Sequence, residues 1–468
     1  MPGKYEAPKG TRRRRRPRRN PLLPLILCLI LVVGVVGGVL LMLRPDSDPQ
    51  TTDPTGGNSI FDWMDSTTVP TTTVPTETKP QPVHQVSTAT LAATGDLLMH
   101  MPVINACSTG SGYDFTQVFQ YLRDYSDAAD YAVANLETTL CGTDNGYPYS
   151  GYPHFNCPDA IVTGAKDAGF DMLLTANNHS YDTTLVGYKR TLDVVRGSGM
   201  DTLGTYASAE ETKWTIKDIN DISIGMLCYT YATHDVNGSP RLNGNAPISE
   251  KGLCNYFIYE NLEPFYTEVE AYLEEMEQAG AEATVMYIHW GVEYQTYAND
   301  QQKAIAQRLC DLGVDVIIGG HAHVVQPMDL LTSTTDPDHK TVCIYSLGNA
   351  VSNQRRELMN LSTGHTEDGM LFSVTFSKYS DGTVYVHDAN VLPTRVNMHG
   401  GYRILPLDDE TRADWKTLYA INDNAYVLAE QSYERTMKIV GEGLEECRTY
   451  LADAKEARDA AYIAAVEG

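Results

Sequence analysis

The order of apolar and polar positions divides the chain into stretches of different texture. Leu22 to Leu43 is a run of 22 residues without a charge. At about 1.5 Å per residue a helix of that length reaches roughly 33 Å, enough to cross a bilayer core. Residues 44–87 are rich in Thr, Pro, Asp and Ser, as in "TTVPTTTVPTETKPQP", and cannot bury a core. From about Thr88 short apolar runs of strand type begin, among them "ATLAATGD", "YAVANLE", "FDMLLTANNH", "ATVMYIHW", "VDVIIGGHAH", "TVCIYSLGN" and "MLFSVTFS". Helical spacing fits 115–125, 158–168, 184–198, 261–279 and 300–312. Such alternation predicts an α/β domain with its helices outside. Strand signals end after about Tyr402, and the remainder reads as two or three amphipathic helices.

Charge sharpens this division. Residues 1–44 hold ten of the 35 Lys and Arg, including Arg12 to Arg16, Arg18 and Arg19, but only one of the 60 acids, Glu6. The rest is therefore more acidic than the net charge of −25 for the whole chain. A body that acidic repels phosphates, which excludes nucleic acid as a partner. The basic cluster precedes the apolar run and "RPDSDP" follows it. The positive-inside rule then predicts a single-pass protein of the cell membrane, with the N-terminus cytoplasmic and the domain extracellular. A cleavable signal peptide is the other reading. The length of the run and the lack of an A-x-A-like site favour the anchor. The expected organisation is a basic cytoplasmic tail (1–21), a transmembrane helix (22–43), a disordered linker (44–87), an α/β domain (88–400) and a C-terminal helical region (401–468).

Of the nine cysteines, Cys28 lies in the apolar run. No C-x-x-C pair occurs, which argues against a zinc–thiolate site. Cys228, Cys310 and Cys343 sit in apolar runs and are expected to pack as small hydrophobes. An outside location permits disulfides, with Cys141 and Cys157 as the candidate pair.

Candidate chemistry collects where strands stop. Apolar runs end at Gly95-Asp96, Asn135-Leu136-Glu137, Asn177-Asn178-His179, His289-Trp290-Gly291 and His321-Ala322-His323. Open α/β sheets bind ligands just beyond the carboxyl ends of their strands. Residues i and i+2 of an extended segment point the same way, so His321 and His323 are expected to face one site together. Asp96, Glu137, Asn178, His289, His321 and His323 offer two carboxylates, one amide oxygen and three imidazoles. That set suits two divalent metals, of Mn, Fe or Zn type, with one carboxylate bridging. Taken singly, each has a plainer explanation: a turn for Gly95-Asp96, a cap for Asn178, a core histidine for His289. Neither a Walker-type phosphate loop nor a G-x-S-x-G elbow is present.

In order along the chain, "TGDLLMH", "ANLETTL", "TANNHSYD", "YIHWGVEY", "GGHAHVVQPMD" and "YSLGNAVSNQ" resemble the motif series of the CapA-type poly-γ-glutamate capsule biosynthesis family. That family is related to the calcineurin-like metallophosphoesterases. The resemblance covers roughly residues 88–396. It implies a four-layer α/β/β/α sandwich with the site at one edge of two sheets. It further implies that Asp96 and His323 hold a first metal, that Asn178, His289 and His321 hold a second, and that Glu137 bridges them. His179 would be a general acid, oriented by Asp182, although Asp182 also reads as a helix N-cap. Hydrolytic relatives usually carry Asp-x-His in the first motif, where this chain has Asp96-Leu97-Leu98. His100 or a water would then complete the first metal, or that site would be weak. Asn349 could support the metal shell, or simply close a Gly-Asn turn. Arg355 and Arg356 could bind an anion or lie in a solvated loop.

The resemblance implies a part in capsule or poly-γ-glutamate synthesis or export, with capsule synthase subunits and the polymer as partners and a phosphoesterase-type metal site. The other reading is a non-catalytic polymer-binding or scaffold subunit of a synthase complex.

Overall fold

The structure, a computed structural model, describes residues 82–234, 238–244, 251–359 and 361–467. In chain order the strands are β1 Gln85–Leu97, β2 Tyr131–Asn135, β3 Met172–Leu174, β4 Asp201–Leu203, β5 Thr215–Ile219, β6 Ile222–Tyr231, β7 Thr233–His234, β8 Pro240–Arg241 and β9 Tyr256–Phe257. They continue with β10 Ala283–His289, β11 Val316–Gly320, β12 Met328–Thr332, β13 Lys340–Ile344, β14 Asn349–Val351, β15 Asp368–Tyr379, β16 Val384–Asn397 and β17 Arg403–Pro406. One sheet runs β17-β16-β15-β1-β2-β3-β4, with β14 beside the end of β1. The other runs β12-β13-β11-β10-β6-β5, with β9 beside β6. In the first, β1 to β4 are parallel and β15 to β17 antiparallel. In the second, β6, β10, β11 and β13 are parallel.

Side-chain alternation explains why these strands read as unbroken apolar runs. Leu91 and Ala93 of β1 join one core with Ile224, Met226, Val285, Tyr287, Val316 and Ile318 of the other sheet. Ala92 and Leu97 turn instead to a second core, shared with Val103, Ile161 and Ala165 from helices. Met286, Ile288 and Ile317 turn outward to a third, shared with Val269 and Ile305. Both faces of each sheet are thus covered, as parallel sheets require. The mixed α/β expectation holds. Four helical segments appear as Ala160–Asp167, Thr184–Gly197, Glu263–Gln278 and Asp300–Asp311. The stretch 115–125 forms only two single turns, Thr116–Phe119 and Arg123–Ser126.

The C-terminal part differs from its sequence reading in two ways. A strand, β17, follows Tyr402 and pairs with β16. Beyond it a single turn, Trp415–Leu418, precedes one helix of 45 residues, Asp423–Glu467. That segment contains no proline to break it. Val440, Leu444, Cys447 and Leu451, at helical spacing, enter the core between the sheets. Gly443 permits the approach, because a Cβ there would lie 1.9 Å from the Met328 carbonyl oxygen. Buried Asp368 pins the helix, accepting from Arg435 Nε at 2.8 Å, Arg435 Nη2 at 2.7 Å and Ser432 Oγ at 2.6 Å.

Two expectations are corrected. Among the described residues no helix is long and apolar enough to cross a membrane; the longest, at the C-terminus, carries charges throughout. The single-pass placement in the cell membrane, with an extracellular domain, is therefore not supported. The run Leu22 to Leu43 on which it rested lies outside the described residues. Cys141 and Cys157 are both free, as are the other six described cysteines, and all eight are buried. Cys157 packs in the second core beside apolar neighbours.

Candidate metal centre

Parallel strands deliver the polar residues to one rim. β1 ends at Asp96-Leu97, where the Asp96 amide donates to the Gly348 carbonyl at 3.0 Å. Gly95 makes that approach possible, since a Cβ would lie 1.9 Å from the same oxygen. Glu137 follows β2, Asn178 follows β3, His289 ends β10, and the two histidines follow β11. The extended geometry expected for His321 and His323 does not occur. β11 stops at Gly320, and both histidines take left-handed backbone, with φ of 87° and 54°. A tight turn, rather than strand alternation, turns both rings inward. Such backbone costs on the order of 1–3 kcal/mol per residue and persists where the surroundings enforce it. The Tyr294 amide, itself at φ 67°, donates to the Ala322 carbonyl at 2.8 Å and ties the turn from outside.

All six residues singled out as ligands come together, each almost fully buried. Asp96, Glu137 and His323 offer donor atoms that all lie within 4.8 Å of one another, and so do Glu137, His289 and His321. The two sets share Glu137. Its Oε1 lies 3.4 Å from His289 Nε2 and 3.9 Å from His323 Nε2. Asn178 Oδ1 lies 2.8 Å from His289 Nε2, and Asp96 Oδ2 lies 3.1 Å from His323 Nδ1.

Charge balance in the cluster is uneven. Burial alone would raise the Asp96 pKa, but hydrogen bonding and the charge of His323 outweigh it and hold the carboxyl below its usual range. Burial would lower His323, yet Glu137 and Asp96 push it up to about 9. His321 lies well below the ordinary histidine value, through burial and the neighbouring imidazoles. The two buried carboxylates, Asp96 and Glu137, are what draw positive charge to this cluster. Both Glu137 carboxylate oxygens and His321 Nδ1 are buried without a hydrogen-bond partner. Buried polar atoms are almost always paired. Orphaned carboxylate and imidazole donors at the centre of such a set therefore fit a metal ion.

His179 stands beside the cluster. Its Nδ1 lies 2.7 Å from Asp182 Oδ2, which also accepts the Phe155 amide at 2.7 Å. The helix N-cap is Thr183, so Asp182 serves the ring and the Phe155 amide instead. Asn349, left open between a turn and a supporting role, places Oδ1 3.2 Å from His323 Nδ1. Its own amide donates to Gln354 Oε1, Thr366 O and His323 O. His100 belongs to neither set of donors; its Nδ1 is engaged by the Asn353 amide at 3.2 Å. Trp290 is buried and donates to the Tyr345 carbonyl, so it packs. Arg356 pairs with Glu367 at 3.8 Å.

Three residues had been given no role. Asn135 donates to Asp96 Oδ1 at 2.8 Å, with the same nitrogen 3.5 Å from His289 Nδ1. Asn177 donates to Asn135 Oδ1 at 3.0 Å and accepts the His179 amide. The signal was present: each lies one or two residues from a candidate ligand at a strand end. Asn243, with Nδ2 3.2 Å from His179 Nδ1, had no such signal.

With this geometry in hand, comparison with known proteins is informative. The family described as bacterial capsule synthesis protein PGA_cap matches residues 90–354. The chain is 27% identical over 309 residues to the PGA biosynthesis protein CapA of Bacillus subtilis, a match spanning 64% of this chain and 72% of that protein. It is 26% identical over 276 residues to the capsule biosynthesis protein CapA of Bacillus anthracis, spanning 57% of this chain and 60% of the relative. An uncharacterized protein of Sinorhizobium fredii, y4sH, is 31% identical over 116 residues, about a quarter of either chain. The matched segment contains every residue of the buried cluster and more than half of the chain, so this protein belongs to the bacterial capsule synthesis protein PGA_cap family.

Proposed function

We propose that this protein acts in capsule or poly-γ-glutamate synthesis through a dinuclear metal centre that cleaves a phosphoester or related bond, on a four-layer sandwich of metallophosphoesterase type. The observation that carries the reading is Glu137: a buried carboxylate, neither oxygen hydrogen-bonded, common to two sets of donors. Asp96 and His323 would complete one position, and Asn178, His289 and His321 the other. When bound, a pair of divalent cations supplies Lewis-acid polarisation of a phosphoryl oxygen and activation of water.

The chain's own residues do the rest. Asn135 and Asn349 hold Asp96 and His323 in register. Asp182 accepts from His179 Nδ1, which leaves Nε2 to carry a proton toward a leaving oxygen. Names of the relatives support the capsule assignment.

Metal analysis and turnover of an aryl phosphate by the purified protein, reconstituted with Mn²⁺, test the proposal. Two ions per chain are expected. His179→Ala should keep them and lose roughly 10²–10⁴ in rate. Absence of bound metal, or full activity in His179→Ala, overturns the assignment. A second reading, a non-catalytic polymer-binding subunit, draws on the first donor set. Leu98 stands where hydrolytic relatives carry histidine, and among the described residues no further imidazole joins Asp96, Glu137 and His323. Bound metal without turnover would favour that reading.

A further inference from the structure

Two glycines close β11, and they are there for different reasons. A Cβ on Gly319 would lie 2.0 Å from the Tyr345 carbonyl oxygen, so packing alone demands glycine. Gly320 is not among the glycines with left-handed backbone. A Cβ there would lie 3.2 Å from Asp96 Oδ1 and 3.5 Å from His289 Nδ1. Its chain neighbours aside, no other atom comes within 4 Å of that point. Neither backbone twist nor overlap therefore requires glycine at 320. What the missing side chain leaves is a gap that faces one carboxylate oxygen and one imidazole nitrogen. The gap belongs to a cavity behind the centre, lined by Asp96, Asn135, His289 and Gly320 and by apolar groups such as Ile318 and Leu347. The cavity gives about 20 Å³ to the centre of a water molecule, where about 10–15 Å³ suffices for one.

Hydrogen bonding shows what that gap serves. Asn177 Nδ2 donates to the Leu136 carbonyl and to Asn135 Oδ1, which leaves Asn135 Nδ2 as a donor, 2.8 Å from Asp96 Oδ1. The same nitrogen stands 3.5 Å from His289 Nδ1. His289 Nε2 faces Asn178 and Glu137, and is the atom turned toward the other metal donors. A neutral imidazole that gives Nε2 to a cation carries its proton on Nδ1. That N–H then faces the N–H of Asn135, and among the described residues no acceptor lies within hydrogen-bond reach of it. We propose that a buried water, seated against Gly320, accepts from His289 Nδ1–H and donates to Asp96 Oδ1. The inference rests on the dinuclear reading above. The water joins a ligand of one metal position to a ligand of the other and fixes both from behind. Metal-binding histidines almost always give their second nitrogen to a carboxylate, a carbonyl or a water, and the gap at Gly320 provides for the third.

A crystal structure of the Mn²⁺-loaded protein tests this directly. An ordered water within about 3.2 Å of both His289 Nδ1 and Asp96 Oδ1 is expected. Chelator competition for Mn²⁺ gives a second readout. Gly320→Ala sets a methyl group in the place of the water and should weaken Mn²⁺ binding by about 10–100-fold. Gly320→Ser is bulkier, but its hydroxyl can accept from His289 and donate to Asp96, so it should recover most of that loss. A glycine needed only for room predicts the reverse order, with serine worse than alanine. That reverse order, or unchanged affinity in Gly320→Ala, overturns the proposal. The crystal structure decides if neither variant folds. No Mn²⁺ bound by the parent would overturn the dinuclear reading and this inference with it. Bound metal without the water would overturn this inference alone.

Discussion

His100 sets a pH dependence. Burial, with the charges of His323 and His179, lowers its pKa to about 4 from an ordinary 6.5. Between those values the unfolded chain binds a proton that the folded chain refuses. Stability of the metal-free protein should therefore fall as pH drops from about 6.5 to about 4, by up to about 3 kcal/mol from this group. Urea denaturation across that range checks the slope, and His100→Gln should flatten it. At this scale the sequence was readable where a residue ends a strand. Asp96, Glu137, Asn178, His289, His321 and His323 were all found that way; the structure gathers the carboxylates and imidazoles, with Asn178 bonded to His289. It was unreadable where a group's chemistry depends on a distant partner. Nothing in "GDLLMH" says that Asn353, some 250 residues away, occupies His100 Nδ1.

Among the elements that carry no ligand, the long C-terminal helix is tied to the centre through a chain of contacts. Arg435 holds Asp368, which opens β15, and Thr366 just before it accepts from Asn349, the residue beside His323. Asp368 is fully buried, and burial raises its pKa against the pull of Arg435. Arg435→Ala would strand that carboxylate, at a cost of about 3–5 kcal/mol. Urea midpoints should show the loss, and adding Asp368→Asn should restore part of it. Helical periodicity foretold this segment, but not that it forms one rod seated on β12 and β16. That outcome depends on Gly443 meeting Met328, a contact between distant segments. The stretch 115–125 failed as one helix for a related reason. Its short turns are shaped by packing of Phe115, Val118 and Phe119 against Ile161 and Ala165.

For the whole molecule, the two sheets and the C-terminal helix share one core. Val440, Leu444, Cys447 and Leu451 fill it from the helix side. Ending the chain at Asn422 would uncover that core. Burial of each large apolar side chain is worth about 1.5–3 kcal/mol, against a total stability of about 5–15 kcal/mol. The shortened protein should aggregate or bind a hydrophobic dye, which size-exclusion chromatography and fluorescence would detect. Fold class was legible because strands buried on both faces read as continuous apolar runs. Assignment of each strand to a sheet was not, since both sheets present the same texture.

One consequence of the turn at His321 and His323 reaches beyond chemistry. Glycine and asparagine are the residue types that accept such a twist most readily, yet neither supplies an imidazole. Backbone comfort and donor chemistry therefore compete for the same two positions. A search for hardier variants that scored only resistance to unfolding would be drawn to both sites, and would return a sturdier molecule with its centre dismantled.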